Sequence, residues 1–173
     1  FSKIYVLGHS QGATVGLAAA QENVDGYISL AGPGRSIDEV IVEQLSKQAP
    51  GLTSNARAAF DELRTNGSTQ NYSPGLSSIF RPSLQPFIRS WMQYNPSEEI
   101  KKLDMPVLIL AGDKDLQVLP SEGEVLSEAK PDATYTVIPN MNHILKEIKE
   151  GDDDLVNQKS YNEPKRPVMP ELI

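Results

Sequence analysis

Ser10 lies in the pentapeptide Gly8-His9-Ser10-Gln11-Gly12, which fits the pattern G-x-S-x-G. In this pattern the small residues on both sides of the serine let the backbone turn sharply, and the turn pushes the hydroxyl outward. The pattern requires a strand directly before it and a helix directly after it. The preceding KIYVL is short, apolar and β-rich, and the following TVGLAAA favours a helix. Ser10 is therefore a candidate nucleophile rather than a serine in an ordinary glycine-rich turn.

A serine nucleophile needs a general base, and the chain contains two histidines, His9 and His143. His9 adjoins Ser10, where its ring would point away from the direction in which the hydroxyl reacts, and we interpret it as a packing residue. His143 follows a predicted strand at residues 133–138, in a loop from which it can reach another strand end. We therefore predict that His143 is the base; the alternative is a histidine with no chemical role.

A carboxylate usually orients such a histidine, and two aspartates follow the apolar run VLIL of residues 107–110. Both lie after the carboxyl end of a predicted parallel strand, where α/β proteins place their active groups. Asp115 fits the frame G-x-x-D-x-x-V, and we predict that it is the acid. We assign Asp113 to hydrogen bonds with the backbone of its own turn. A calcium loop is the structural alternative, but the segment lacks the third ligand and the glycine of an EF-hand.

The three candidates occur in the order Ser10, Asp115, His143, each after a different predicted strand. The helix that follows Ser10 presents free backbone N–H groups and the positive end of its dipole. We therefore predict that the backbone N–H of Gln11 forms part of an oxyanion hole. The chemistry indicated is attack of Ser10 on a carbonyl carbon, with proton transfer through His143.

These residues can meet only if parallel strands bring their carboxyl ends to one edge of a sheet. The sequence predicts strands at 3–7, 27–32, 105–113 and 133–138, and helices at 14–23, 36–48, 54–65, 84–94 and 120–130. Ser36 and Glu39 have the spacing of a capping box at the start of the second helix. Residues 66–83 are predicted to be a loop. From Gly151 on the sequence turns polar and proline-rich, with a solvated loop predicted at residues 152–154 and a first helical turn at Pro170.

About seventy residues separate the second and third predicted strands, far more than a crossover needs. We therefore predict an α/β fold with a mostly parallel sheet, in which residues 1–34 and 104–173 form the core and residues 35–103 form an inserted helical lid. Most aromatic residues of the lid are assigned to its own small core. Phe87 and Trp91 are the candidates for contact with substrate. Arg35 either meets a substrate carboxylate or forms a surface salt bridge, and we favour the salt bridge.

Composition excludes some classes of protein. The 173 residues carry a net charge of −7 and an isoelectric point near 4.8, which argues against nucleic acid or an anionic membrane as the main partner. The chain has no cysteine, which removes disulfides, thiolate metal sites and a cysteine nucleophile. No apolar run reaches the length of a membrane span.

The chain resembles the α/β-hydrolase superfamily in its serine aminopeptidase-like branch, particularly the EstD-type bacterial carboxylesterases. The matching stretches are spread over residues 4–149 and read LGHSQGA, LAGPGRSIDEVIVEQL, RSWMQYNPSEEIKKL, PVLILAGDKDLQV and PNMNHILKE. The resemblance implies Ser10 as nucleophile, Asp115 as acid, His143 as base and the Gln11 N–H as oxyanion donor, in the chain order of that fold. It also implies hydrolysis of a small-molecule ester through an acyl-enzyme, with neither a metal nor an organic cofactor.

Other expectations accompany this resemblance. The same three residues can serve peptide or amide hydrolysis or acyl transfer, and a non-catalytic interaction module can keep the same fold. In the family, strands before the serine turn include the loop that supplies a second oxyanion N–H, which residues 1–3 cannot provide. We therefore expect the chain to correspond to the C-terminal part of a hydrolase and to have little activity on its own.

Overall fold

The computed structural model of the chain describes residues 2–149 and 151–173. The strands of this part are β1 (Tyr5–His9), β2 (Gly26–Leu30), β3 (Val107–Gly112) and β4 (Thr134–Ile138). The α-helices are α1 (Gln11–Ala19), α2 (Ile37–Gln48), α3 (Thr53–Asn66), α4 (Ser77–Phe80), α5 (Gln85–Trp91), α6 (Pro96–Glu99), α7 (Pro120–Ala129) and α8 (Asp154–Ser160). Short 3-10 helices lie at Pro50–Leu52, Pro74–Leu76, Ile100–Lys102 and Pro170–Leu172.

The four strands form one sheet in the order β1-β2-β3-β4, and every neighbouring pair is parallel. The predicted α/β fold with a parallel sheet is therefore confirmed. Within this sheet β1 has only one neighbouring strand, and Tyr5 and Leu7 on it are more than half exposed. Because all the strands run in the same direction, the loops after β1, β3 and β4 leave the sheet at the same edge.

The chain divides into two compact units. The sheet unit extends to Gly34 and resumes at Pro96, so it contains the sheet with α1, α6, α7 and α8. The helical unit covers Arg35–Asn95 and contains α2 to α5.

The core of the sheet unit lies between strands and helices. Leu17 of α1, Tyr27 of β2, Ile109 of β3 and Leu126 of α7 are buried in one apolar cluster. Burial of each such side chain stabilises the fold by about 1.5–3 kcal/mol. The Tyr27 hydroxyl donates a hydrogen bond to the carbonyl oxygen of Ala13 at 2.6 Å, so its polar end is satisfied while the strand is tied to α1.

The helical unit has its own apolar core. Phe60 of α3 and Phe80 of α4 are fully buried and meet edge to face, with ring centroids 4.7 Å apart. Helix α3 ends at Gly67, whose φ of 80° lies in the left-handed region that glycine adopts readily at a helix C-terminus. The core of this unit therefore forms where α3 packs against the short helices that follow it.

Two local predictions in the helical unit were wrong. The capping box at Ser36 and Glu39 does not form, because the Ser36 hydroxyl donates to the Asp38 carboxylate instead of capping α2. Residues 66–83 are not wholly a loop, since they contain Pro74–Leu76 and α4. These turns are too short for a repeating apolar pattern to reveal them.

The ends of the sheet unit's elements also differ from the predictions. Helix α1 begins directly after Ser10, three residues earlier than predicted, and ends at Ala19. The polar segment from Gly151 on contains α8, a helix that was not predicted. The Asp153 carboxylate caps this helix by accepting a hydrogen bond from the Val156 N–H at 2.9 Å.

Candidate active site

Ser10 lies at the junction between β1 and α1. Its backbone has φ 55° and ψ −125°, a conformation that residues with a side chain rarely adopt. Two backbone hydrogen bonds hold it there. The Ser10 N–H donates to the Leu30 carbonyl oxygen at 3.0 Å, and the Ser10 carbonyl oxygen accepts from the Ala13 N–H at 2.9 Å. A strained turn held by its surroundings is a common property of functional positions.

The two glycines of the pentapeptide differ in their surroundings. A Cβ atom on Gly8 would lie 2.2 Å from the Gly12 oxygen and 2.5 Å from Ala13 Cα, so only glycine lets β1 and α1 approach this closely. A Cβ on Gly12 would meet no atom within 4 Å outside its chain neighbours and its own helix. The predicted steric need for glycine therefore applies to Gly8. At Gly12 no neighbouring atom of the described residues would clash with a Cβ.

His143 lies in the loop after β4, and both of its ring nitrogens are engaged. Nε2 lies 2.9 Å from Ser10 Oγ, and Nδ1 lies 2.8 Å from Asp115 Oδ2. His143 is 5% exposed and Asp115 is 2% exposed. The structure thus brings together three side chains that the sequence separates by up to 133 residues.

The Asp115 carboxylate is held by its own turn after β3. Its Oδ1 accepts hydrogen bonds from the backbone N–H groups of Gln117 at 2.7 Å and Val118 at 2.8 Å. These bonds leave Oδ2 directed at His143 Nδ1. Tyr161 belongs to the same surroundings: burial raises the pKa of its phenol, the Gln117 side chain opposes this rise, and the negative charge of Asp115 adds to it.

His9 has a polar role in addition to packing. Its Nε2 lies 2.7 Å from the carbonyl oxygen of His143, and the two rings lie 5.1 Å apart. Because a carbonyl only accepts, this geometry requires the proton of His9 on Nε2. His9 therefore fixes the backbone of His143 rather than competing with it for Ser10.

Asp113 accepts a hydrogen bond from a different loop than predicted. Its Oδ1 accepts from the backbone N–H of Asn140 at 2.6 Å, 27 residues further along the chain. The Lys114 N–H also donates to the Met141 carbonyl at 3.0 Å. These bonds join the loop of Asp115 to the loop of His143.

Three buried polar residues beside the site were not predicted. They are Asn142, Asn157 and Ser160, which are at most 2% exposed. Asn142 could have been singled out because it directly precedes His143. Asn157 and Ser160 lie in the polar segment DLVNQKS of α8, which carries no signal of burial.

Gln11 is the first residue of α1, next to Ser10. Among the described residues its backbone N–H has no hydrogen-bond acceptor, so the group is available to a ligand at the helix N-terminus. Its part in an oxyanion hole remains a prediction.

Phe87 and Trp91 lie on α5 in the helical unit, where their ring centroids are 5.7 Å apart. Phe87 is 47% exposed, whereas Trp91 packs against the core of that unit. Their assignment to a substrate pocket remains a prediction. Arg35 forms the favoured salt bridge, with Glu43.

Within residues 2–149 and 151–173 no group of three or more His, Cys, Asp or Glu side chains is arranged to hold a metal ion. In the same residues no helix combines the length and the apolar character needed to cross a membrane.

The parallel sheet and the serine at a strand-to-helix turn define an α/β-hydrolase fold. The chain belongs to the alpha/beta hydrolase family, whose model matches residues 1–145. It is 28% identical over 149 residues to the esterase EstD of Thermotoga maritima, with 83% of this chain and 35% of that protein covered. The chain thus spans about a third of the length of this curated relative.

Solved structures show the same fold. The esterase domain of a Rhodothermus marinus protein superposes with a TM-score of 0.50 at 17% identity, covering 82% of this chain and 51% of that one. A bromoperoxidase from Bacillus anthracis gives a TM-score of 0.50 at 16% identity, covering 93% of this chain and 65% of that one. At these identities the likeness concerns the fold alone.

Proposed function

We propose that the protein is a serine hydrolase that cleaves small-molecule carboxylic esters through an acyl-enzyme on Ser10. One observation carries the proposal: hydrogen bonds join Ser10 Oγ to His143 Nε2 at 2.9 Å and His143 Nδ1 to Asp115 Oδ2 at 2.8 Å, in one unbroken series. A nucleophile, a base and an orienting acid at these distances have the arrangement that nucleophilic acyl chemistry requires.

In the first half of the reaction Ser10 Oγ attacks the carbonyl carbon of the ester while His143 Nε2 takes the hydroxyl proton. The proton on His143 Nδ1 stays there and forms a hydrogen bond to Asp115, whose carboxylate stabilises the imidazolium without becoming protonated. The carbonyl oxygen becomes negatively charged, and the Gln11 N–H donates to it at the positive end of α1. The intermediate collapses when the C–O bond to the alcohol breaks and His143 Nε2 returns the proton to the leaving oxygen.

In the second half a water molecule replaces the alcohol. His143 Nε2 takes a proton from the water as its oxygen attacks the acyl carbon, and Ser10 Oγ leaves with that proton. The products are a carboxylic acid and the free serine. The name of the curated relative, an esterase, supports an ester rather than an amide as the substrate class.

Labelling with a fluorophosphonate tests the proposal, because the probe phosphonylates an activated serine and the natural substrate need not be identified. In the full-length protein we expect one adduct by intact mass, and in its Ser10→Ala variant none. Alanine keeps the Cβ at the strained position, so this variant is expected to fold. Ser121→Ala, at an exposed position in α7, is the control and should label fully.

An unlabelled wild-type protein, or a Ser10→Ala variant labelled as fast as the wild type, would overturn the assignment. A panel of p-nitrophenyl esters and aminoacyl p-nitroanilides then separates ester from amide hydrolysis. We expect the esters to be turned over faster, and faster turnover of the anilides would reassign the substrate class.

A further inference from the structure

Helix α8 is joined to the candidate active site by a buried polar cluster of Asn142, Asn157 and Ser160, which we call the asparagine cluster. The three residues are 0%, 2% and 0% exposed, respectively. Asn157 and Ser160 belong to α8, whereas Asn142 belongs to the loop after β4. Buried polar groups are retained when their hydrogen bonds are satisfied, so the partners of each group show what the cluster holds.

On the acid side, Asn157 Nδ2 donates a hydrogen bond to the carbonyl oxygen of Lys114 at 2.7 Å. Lys114 is the residue directly before Asp115. Its peptide group therefore has a fixed position relative to α8, in addition to the bond between the Lys114 N–H and the loop of His143.

On the base side, Asn157 Oδ1 accepts a hydrogen bond from Asn142 Nδ2 at 3.1 Å. Asn142 is the residue directly before His143. The same Nδ2 also donates to Ser160 Oγ at 2.8 Å. Asn142 Oδ1 accepts from the Lys146 N–H at 3.0 Å, and the Asn142 N–H donates to the Lys146 carbonyl at 3.0 Å, which closes the loop around His143.

Asn157 thus joins the residue before the candidate acid to the residue before the candidate base. These two hydrogen bonds require a donor toward Lys114 and an acceptor toward Asn142 on one short side chain, and a primary amide supplies both. A carboxylate would set an oxygen against the Lys114 oxygen. An aliphatic side chain would remove the donor to the Lys114 carbonyl and would leave Asn142 Nδ2 with Ser160 Oγ alone.

We propose that Asn157 is a positioning residue of the candidate active site. Its amide holds the loops of Asp115 and His143 at the separation that closes the hydrogen bond between them. The consequence for catalysis rests on the proposed function, whereas the consequence for the Asp115–His143 hydrogen bond does not. This support from α8 adds to the bond from His9 to the His143 carbonyl and to the bonds of Asp113 and Lys114 between the two loops.

The first measurement needs no activity. The Nδ1 proton of His143, in its hydrogen bond with Asp115, should give a low-field proton NMR resonance. The resonance is assigned to this proton if it is absent from the spectrum of His143→Gln. We expect Asn157→Ala and Asn157→Asp to shift this resonance upfield or broaden it beyond detection. Ser160→Ala is the matched control, because it removes a buried partner of Asn142 from the same helix without touching Lys114. It should leave the resonance in place.

The second measurement is hydrolysis of p-nitrophenyl acetate by the full-length protein and its variants, at a temperature where circular dichroism shows each variant to be folded. We expect Asn157→Ala to lower kcat about 10- to 100-fold with little change in KM, because loss of alignment affects the transition state more than binding. Ser160→Ala should stay within about threefold of the wild type. A purely structural anchor would lower the melting temperature of both variants without separating them in kcat.

A folded Asn157→Ala variant with an unchanged resonance and an unchanged kcat would overturn the proposal. Equal losses in Asn157→Ala and Ser160→Ala would also overturn it. If the wild type hydrolyses no ester but its resonance disappears in Asn157→Ala, the proposed function fails and the positioning role stands. If the wild type is active and Asn157→Ala is unaffected in both measurements, only the positioning role fails.

Discussion

Both units bury polar side chains, but the partners of these side chains differ in kind. In the sheet unit several buried groups link loops far apart in sequence, at or next to Ser10, Asp115 and His143. In the helical unit the buried groups link helices. The Asp38 carboxylate of α2 binds Arg57 and Arg64 of α3 at 3.1 and 2.8 Å.

A buried amide in the helical unit also links backbone segments of its own unit. The Gln85 side chain of α5 accepts from the Thr69 N–H at 3.0 Å and donates to the carbonyls of Thr69 and Phe80. It anchors the segment between α3 and α5 to the core of its own unit. At these positions polar burial therefore holds the loops of the candidate site together in the sheet unit and holds the backbone of the helical unit together. Substitutions in the two units should consequently be separable into effects on rate and effects on stability.

The largest effect is expected for Asp115→Asn in the sheet unit. Asparagine keeps an oxygen for the Gln117 and Val118 N–H groups but no longer orients and stabilises His143 as a carboxylate does, so kcat for p-nitrophenyl acetate should fall by about 10³- to 10⁴-fold. The melting temperature should change little. Asp113→Asn, two residues away, is the control and should lose far less activity. The opposite ranking would assign the acid role to Asp113.

A smaller effect, on stability, is expected for Asp38→Asn in the helical unit. The variant loses the charge that faces two arginines, and because these are about half exposed, the free energy of unfolding should fall by only about 1–3 kcal/mol. Urea unfolding measures this change, with the exposed Asp61→Asn in α3 as control. Fluorophosphonate labelling at a temperature where the variant is folded should stay within twofold of the wild type. A loss of labelling as large as that of Asp115→Asn would refute the separation between the units.

The smallest effect is the pH dependence of that stability difference. Burial raises the pKa of Asp38, but the Ser36 hydroxyl and the Arg64 guanidinium outweigh it, so the pKa lies below its ordinary value. A carboxyl with a lowered folded pKa stabilises the fold above its unfolded pKa of about 4 and loses this contribution as the pH falls through the folded value. The difference between wild type and Asp38→Asn should therefore be constant from pH 7 to about pH 5 and shrink below pH 4. A difference that grows on acidification would contradict this assignment.

Much of the fold was predictable because parallel strands have a strong local signature. The run from Val107 to Gly112 is apolar throughout, as expected for a strand with neighbours on both sides. The positions of Ser10, Asp115 and His143 could also be predicted, since each follows a recognisable strand. That the three side chains meet within hydrogen-bonding distance is a result of the structure, and their catalytic roles remain proposals.

The remaining features depend on contacts that the local sequence does not encode. Helix α8 was missed because its stability comes partly from Asn157 and Ser160, whose partners lie in distant loops. The capping box at Ser36 failed because the hydroxyl is turned to donate to the Asp38 carboxylate, and its oxygen accepts no N–H of the first turn of α2. In both cases tertiary or charged partners override a local pattern.

The backbone at Ser10 places two demands on this position that no single residue type meets. A left-handed φ of 55° costs a residue with a side chain on the order of 1–3 kcal/mol, and glycine would avoid most of this cost. Glycine would also delete the hydroxyl that faces His143. Selection for thermal stability alone would therefore drive the position toward glycine, while selection for acyl chemistry would keep the serine. A library of this protein screened only for folding should accumulate substitutions at residue 10, and the same library screened for ester turnover should not.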